Sequence, residues 1–383
     1  MKNCFIFANI LSCDGESAHS KQINDYLYGL SENYDRVIFI SALTKKFNLN
    51  YFFKKINFYR GDDIYFLPIP PLSVFVRLSI VSLTILFIRI LNIFYPFNIR
   101  VFTRSQIIAF IAVNLGFKVI YQIHYLQKDN YFLSNYILKS IVLKTKKIIC
   151  ISPNLKKDLL KRFREIDQVK SKLKFIPLVP ISNFNLSNSP NKFVNQVNKI
   201  FVNWKSTSLK KCVYIGSLDK LLNDDFRNFF ESFQDFNIMI VGGNKNKFIE
   251  IFNFLEIDSY LINERIFHIE FTKDNFLLDK IRNAADFFLI SNPISLKYYF
   301  YTSPLKLFEY SKFNKPIIVI GDNNFLNGLK YIDFLYKITQ VKFYQSLNKF
   351  IEAKKDIAKY ESKLFQDYYS IVKIKKKLLK CIN

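Results

Sequence analysis

Apolar residues in this chain fall into short continuous runs, separated by stretches in which they recur every three or four positions. Short apolar runs read as buried strands and the longer periodic stretches as helices, so the alternation predicts βαβ units around parallel sheets. The first half yields strands at 4–9, 36–41, 64–68, 99–102, 118–123, 147–151 and 174–176. Helices fill 20–31, 73–93, 106–115, 131–143 and 154–164. A second series follows, with strands near 212–215, 237–241, 266–269, 286–290 and 316–320 and helices between them. Between the two series the chain becomes rich in Asn and Ser and carries its lone Trp204. The expected layout is an α/β architecture of two doubly wound, Rossmann-like domains facing across a cleft. The domains cover 1–185 and 211–355, with a linker at 186–210 and a helical tail at 356–383.

Composition changes this picture in three ways. Hydrophobic residues make up 50% of the 383, enough for two packed cores, which excludes a disordered chain. Lys and Arg number 56 against 31 Asp and Glu, and the resulting +25 favours polyanionic partners: nucleic acid, anionic lipid or phosphorylated substrates. Five scattered Cys and three His give no disulfide framework and no His-rich metal site. The N-terminal run from Cys4 to Leu11 is interrupted by Asn9 and reads as a first strand, not a leader. The apolar stretch 73–97 contains Arg77 and Arg89, leaving only 78–88 uncharged, too short for about 30 Å of hydrocarbon. It is expected to form a buried or membrane-surface helix pair. With the basic stretch 373–380, it places the protein in the cytoplasm, peripheral on the inner face of the cell membrane.

Ligands of open parallel sheets bind beyond the carboxyl ends of the strands, so the residues following each strand carry the candidate chemistry. They are the loop Asp14-Gly15-Glu16-Ser17-Ala18-His19, then Arg104, His124, Gly216-Ser217, Gly242-Gly243 and Ser291-Asn292. Ordinary turn chemistry explains each singly; their joint placement suits a phosphate-bearing ligand. A dinucleotide fingerprint and a P-loop are both absent. The paired acids Asp62-Asp63 and Asp224-Asp225 lack metal-binding spacing and read as solvated turns. The richest segment is Phe300-Tyr-Thr-Ser-Pro-Leu-Lys-Leu-Phe-Glu-Tyr310 followed by Lys315-Pro316. Ser303 is a natural N-cap with Pro304 at the first helical position. Lys306 then opposes the helix dipole unless an anion docks there, and Glu309 lies on the same helical face. A solvated Lys–Glu pair fits this segment as well.

That segment resembles the donor-binding motif of family 4 glycosyltransferases, which have the two-Rossmann GT-B fold. Other stretches are similar in the same order: Val101-Phe-Thr-Arg-Ser105, Gly116-Phe-Lys-Val-Ile-Tyr-Gln-Ile-His124, Ile149-Cys-Ile-Ser-Pro-Asn-Leu-Lys156, Phe175-Ile-Pro177, Val213-Tyr-Ile-Gly-Ser-Leu218 and Asn283-Ala-Ala-Asp-Phe-Phe-Leu289. The resemblance implies a retaining transferase that moves a sugar from a nucleoside-diphosphate sugar to a glycan or lipid-linked acceptor in surface polysaccharide or glycoconjugate biosynthesis, with neither cofactor nor metal. It implies that Glu309 holds the ribose and that Ser303, Pro304 and Leu305 bring backbone amides to the diphosphate. Gly216 and Ser217 would line that site, with Lys306 and Lys220 as its cations. His124 would be the catalytic residue, with Gly15, Glu16, His19 and Arg104 on the acceptor side. The family's first Glu is replaced by Tyr301, which leaves open a non-catalytic partner subunit. A nucleic-acid-binding protein is the remaining alternative, and it lacks any zinc-finger or RRM signature, so no nucleic-acid partner is expected.

Overall fold

The computed structural model describes residues 3–12, 34–42, 64–69, 72–126, 132–166, 168–177, 194–272, 274–293, 305–322, 326, 329–337, 340–341 and 346–382. The chain divides into two compact units. The N-terminal unit comprises Met1–Ser182, Tyr301–Ser303 and Ile371–Asn383, and the C-terminal unit Asn183–Phe300 and Pro304–Ser370.

The N-terminal unit is built on a seven-stranded sheet with the order β3-β2-β1-β4-β5-β6-β7. Its strands are β1 (Asn3–Ser12), β2 (Arg36–Ala42), β3 (Ile64–Ile69), β4 (Asn98–Thr103), β5 (Lys118–Ile123), β6 (Lys147–Cys150) and β7 (Leu173–Phe175), and their pairings are parallel. Phe5, Phe7, Phe39 and Phe102 form its aromatic centre, where the rings of Phe7 and Phe102 lie 4.9 Å apart and tilted by 30°. Helices α1 (Val74–Phe94), α2 (Gln106–Asn114) and α3 (Phe132–Lys144) carry the crossovers from β3 through to β6, and α2 packs between α1 and α3. Then come α4 (Pro153–Arg162) and the single turn α5 (Val169–Lys172).

Helix α1 departs from expectation. In place of a helix pair, one unbroken helix of 21 residues runs across both arginines. No Gly or Pro interrupts it, Ser73 caps its start, and Ser79, Ser82 and Thr84 turn their hydroxyls back onto carbonyls one turn earlier. Nor is it a buried helix: only Val81 and Ile85 are fully covered.

The C-terminal unit has a six-stranded parallel sheet of order β10-β9-β8-β11-β12-β13. It contains β8 (Lys210–Ile215), β9 (Phe236–Val241), β10 (Ile266–Ile269), β11 (Phe287–Asn292), β12 (Ile317–Gly321) and the short β13 (Leu335–Lys337), which the sequence pattern does not signal. The described part of the expected linker is structured. Residues 194–206 form α6 (Val194–Ser206), which packs on β10 and buries Trp204 completely. Val197, Ile200, Phe201 and Trp204 repeat at helical spacing, and this periodicity outweighs the Asn-rich composition. The remaining helices are α7 (Asp224–Ser232), α8 (Lys245–Phe254), α9 (Ser259–Arg265), α10 (Asn275–Ala284), α11 (Leu305–Ser311), α12 (Leu347–Tyr368) and α13 (Ile371–Ile382). Of the expected tail, α12 belongs to the C-terminal unit, whereas α13 belongs to the N-terminal one. Asp224 and Asp225 are not in a turn but in the first turn of α7, where their charges suit the helix dipole. Asp62 and Asp63 lie outside the described residues.

Candidate functional site

The order of the second sheet reverses between β8 and β11, and loops at such a switch point diverge to leave room for a ligand. The turn after β8 is built tightly. Gly216 has the Tyr214 ring directly behind it, where a Cβ would meet the phenolic oxygen at 2.9 Å, and that hydroxyl donates to the Ser217 carbonyl at 2.7 Å. The neighbouring turn after β9 lies back to back with it: a Cβ on Gly242 would collide with the Gly216 carbonyl oxygen, and one on Gly243 with the Leu218 side chain. Both glycines are required by this close approach. His268 on β10 supports the pair, bonding through Nε2 to the Gly242 carbonyl at 2.8 Å and stacking on Phe248. Burial holds its pKa below the usual 6.5. His268 therefore holds the Gly242 turn in place.

After Ser217 the chain makes a single 3-10 turn, Leu218–Leu221, whose buried Leu218 and Leu221 leave Lys220 on the opposite side. Asn223 caps α7 and donates both to the Lys220 carbonyl and to Ser291 Oγ at 3.0 Å, anchoring the turn to the end of β11. Asp219 does not oppose Lys220. It is exposed and pairs with Lys247 of α8 at 3.3 Å.

Helix α11 supplies the rest. Tyr310 is fully buried, stacks on Phe288 of β11, and its hydroxyl accepts the Ile215 amide at 2.8 Å. With Leu307, Phe308 and Ser311 also buried, the helix cannot rotate, and Lys306 and Glu309 are held on its open face. Glu309 is clamped: its Oε2 lies 2.6 Å from Lys306 Nζ and 3.5 Å from Arg282 on α10, which also pairs with Asp279 at 2.8 Å. The pair is therefore not the solvated one that sequence alone allows, because the Glu309 side chain is only 24% exposed. Lys220 lies close enough to Lys306 that, beyond the larger effect of burial, the neighbouring ammonium also lowers its pKa. Lys220 and Lys306 are thus neighbouring half-buried cations, the second of them paired with Glu309.

Gly216, Ser217, Lys220, Leu305, Lys306 and Glu309 thus belong to one unit, the first three on the turn after β8 and the last three on α11. Arg282, Asn223 and Tyr310 complete the arrangement and were not singled out beforehand. Arg282 is invisible in sequence because its partner stands 27 positions away. Ser303, Pro304 and Tyr301 lie outside the described residues, as do Gly15, Glu16 and His19. In the N-terminal unit, Arg104 follows β4 at the switch point between β1 and β4, and donates through Nε to Gln122 Oε1 at 2.6 Å. His124 is half-buried just past the end of the adjacent β5. Both stand past the carboxyl ends of adjacent strands, in the other unit. Among the described residues, no group of three or more His, Cys, Asp or Glu could hold a metal ion.

Solved structures match the fold over nearly its full length. HepE from Anabaena in complex with UDP aligns over 99% of both chains with a TM-score of 0.61 and 13% identity. The chain has the GT-B fold. A glycosyltransferase from Rickettsia africae aligns over 99% of this chain and 98% of its own, with a TM-score of 0.65 and 16% identity. The lipopolysaccharide outer core galactosyltransferase WaaB aligns over 99% of both, with 0.61 and 13%. No family model and no curated protein matches the chain by sequence. Within the GT-B frame, the Lys220–Lys306–Glu309 cluster occupies the C-terminal unit, and Arg104 with His124 the N-terminal one.

Proposed function

We propose that the chain is a retaining glycosyltransferase of the family 4 type, transferring a sugar from a nucleoside-diphosphate sugar to a glycan or lipid-linked acceptor in surface glycan assembly. The observation that carries this reading is the convergence of Lys220 and Lys306 at the β8–β11 switch point, with Glu309 held beside them. A diphosphate placed there neutralises both ammonium groups. As the glycosidic bond breaks, negative charge grows on the departing phosphate oxygen, and fixed cations stabilise that charge more than the ground state. Glu309, fixed by Lys306 and Arg282, has the carboxylate geometry to accept two hydrogen bonds from a ribose diol. His124 and Arg104, at the carboxyl edge of the other sheet, are assigned to the transferred sugar and the acceptor.

UDP is the first ligand to try, because HepE, which shares the fold, is solved with UDP and with UDP-glucose. Bound only by the folded state, it should raise the melting temperature by mass action. Lys306→Ala removes a charged contact to phosphate, a loss of about 1.5–3 kcal/mol, so UDP should bind at least tenfold more weakly while uridine is little changed. Equal losses for uridine and UDP would show that Lys306 does not meet the phosphates.

A further inference from the structure

Helix α1 is amphipathic in the wrong sense for a helix in water. Val81 and Ile85 face the sheet, and Arg77 and Arg89 flank them, Arg89 lying over the Phe117 ring at 5.7 Å. Arg77 Nε is buried as well, so both charges are drawn toward the protein. The outward stripe is Phe75, Leu83, Leu86, Ile90 and Ile93, all exposed, Phe75 by 82% and Ile93 by 70%. Ile107 on α2 and Phe132, Leu133 and Tyr136 on α3 continue the apolar exposure on the neighbouring helices. Such a surface marks an interaction site.

Charge identifies the partner. From residue 64 to 157 the chain carries twelve Lys and Arg and one acid, Asp129. The N-terminal unit as a whole has 31 Lys and Arg against 11 Asp and Glu, a net +20, whereas the C-terminal unit has 25 against 20, a net +5. The excess is thus concentrated in the unit that exposes the apolar helix. A second copy of the same face would bring like charges together; an anionic bilayer offers opposite charge and hydrocarbon at once. Although α1 is long and apolar enough to cross a membrane, it is the crossover between β3 and β4 of one sheet and rests on β1, which fixes it along the surface of the unit.

We propose that the N-terminal unit docks on an anionic lipid bilayer with α1 lying in the interfacial plane, Phe75, Leu83, Leu86, Ile90 and Ile93 inserted among the acyl chains and the surrounding cations on the head groups. The test is flotation of the full chain with vesicles of phosphatidylcholine alone or mixed with phosphatidylglycerol. Salt is set at roughly 0.1 and 1 M, where the Debye length shrinks from about 10 to about 3 Å. Binding is expected on the anionic vesicles, about tenfold weaker on neutral ones and in high salt. L83E with I90E is expected to lower it about tenfold more, with an unchanged melting temperature. If that variant fails to fold, L83S with I90S makes the same test. A chain that floats with neither vesicle, binding unaltered by the α1 substitutions, or a dimer that the same substitutions dissociate overturns the proposal. None of these outcomes involves the nucleotide, so the donor assignment stands or falls separately.

Discussion

Lys220 is half-buried beside Lys306, whose ammonium is paired with Glu309, so burial first and the neighbouring charge second disfavour the charged form of Lys220. Removing one charge should therefore separate stability from binding. Lys220→Met is expected to leave the melting temperature unchanged or raise it, while weakening UDP by about tenfold or more. A variant that loses both together would make Lys220 a structural residue. His268 gives the complementary pH test. Burial outweighs the Gly242 carbonyl bond and the nearby Glu270 carboxylate and holds the imidazole below 6.5, so on acidification the unfolded chain takes up the proton first. The stability His268 contributes is present above about pH 6.5 and is lost as the pH falls toward its lowered pKa. Wild type should lose more melting temperature between about pH 7 and 5 than His268→Gln, and parallel curves would refute the assignment.

At the scale of elements, legibility in sequence followed burial. Parallel strands covered on both faces are continuous apolar runs, as in Phe236–Val241, and declare themselves without context. So did the turn residues Gly216 and Ser217, since a strand must end where they stand. Lys306 and Glu309 were legible as chemistry, but their clamp was not, because Arg282 reaches Glu309 from another helix. Two elements were masked by composition. In α1 the arginines suggested a break, whereas their side chains turn inward and the helix continues. In α6 the Asn-rich sequence suggested a linker, yet the indole of Trp204 is entirely buried, with Phe201 6.1 Å away. A linker would tolerate Trp204→Ala. A packed helix should lose about 3–5 kcal/mol, seen as a fall in urea midpoint with little change in slope. An unchanged midpoint would return 194–206 to the status of a linker.

For the whole molecule, the path of the chain matters more than the order of its domains. It builds the first sheet, then the second, and finally sends α13 back to the first unit, where Ile374, Leu378 and Cys381 are buried. Each unit has its own apolar core, so each should respond to its own perturbation. Leu378→Ala removes a buried leucine from the N-terminal unit and should cost about 2–5 kcal/mol there. If UDP binds at Lys220, Lys306 and Glu309 as proposed, it should stabilise the C-terminal unit. Scanning calorimetry of the full chain is then expected to resolve two transitions, one lowered by Leu378→Ala and the other raised by UDP. The UDP shift should keep its size in the variant, because the altered leucine and the anion site belong to different cores. If both perturbations move one common transition, the two cores melt as a single cooperative body. If Leu378→Ala lowers the same transition that UDP raises and leaves the other in place, α13 belongs to the unit that binds the nucleotide.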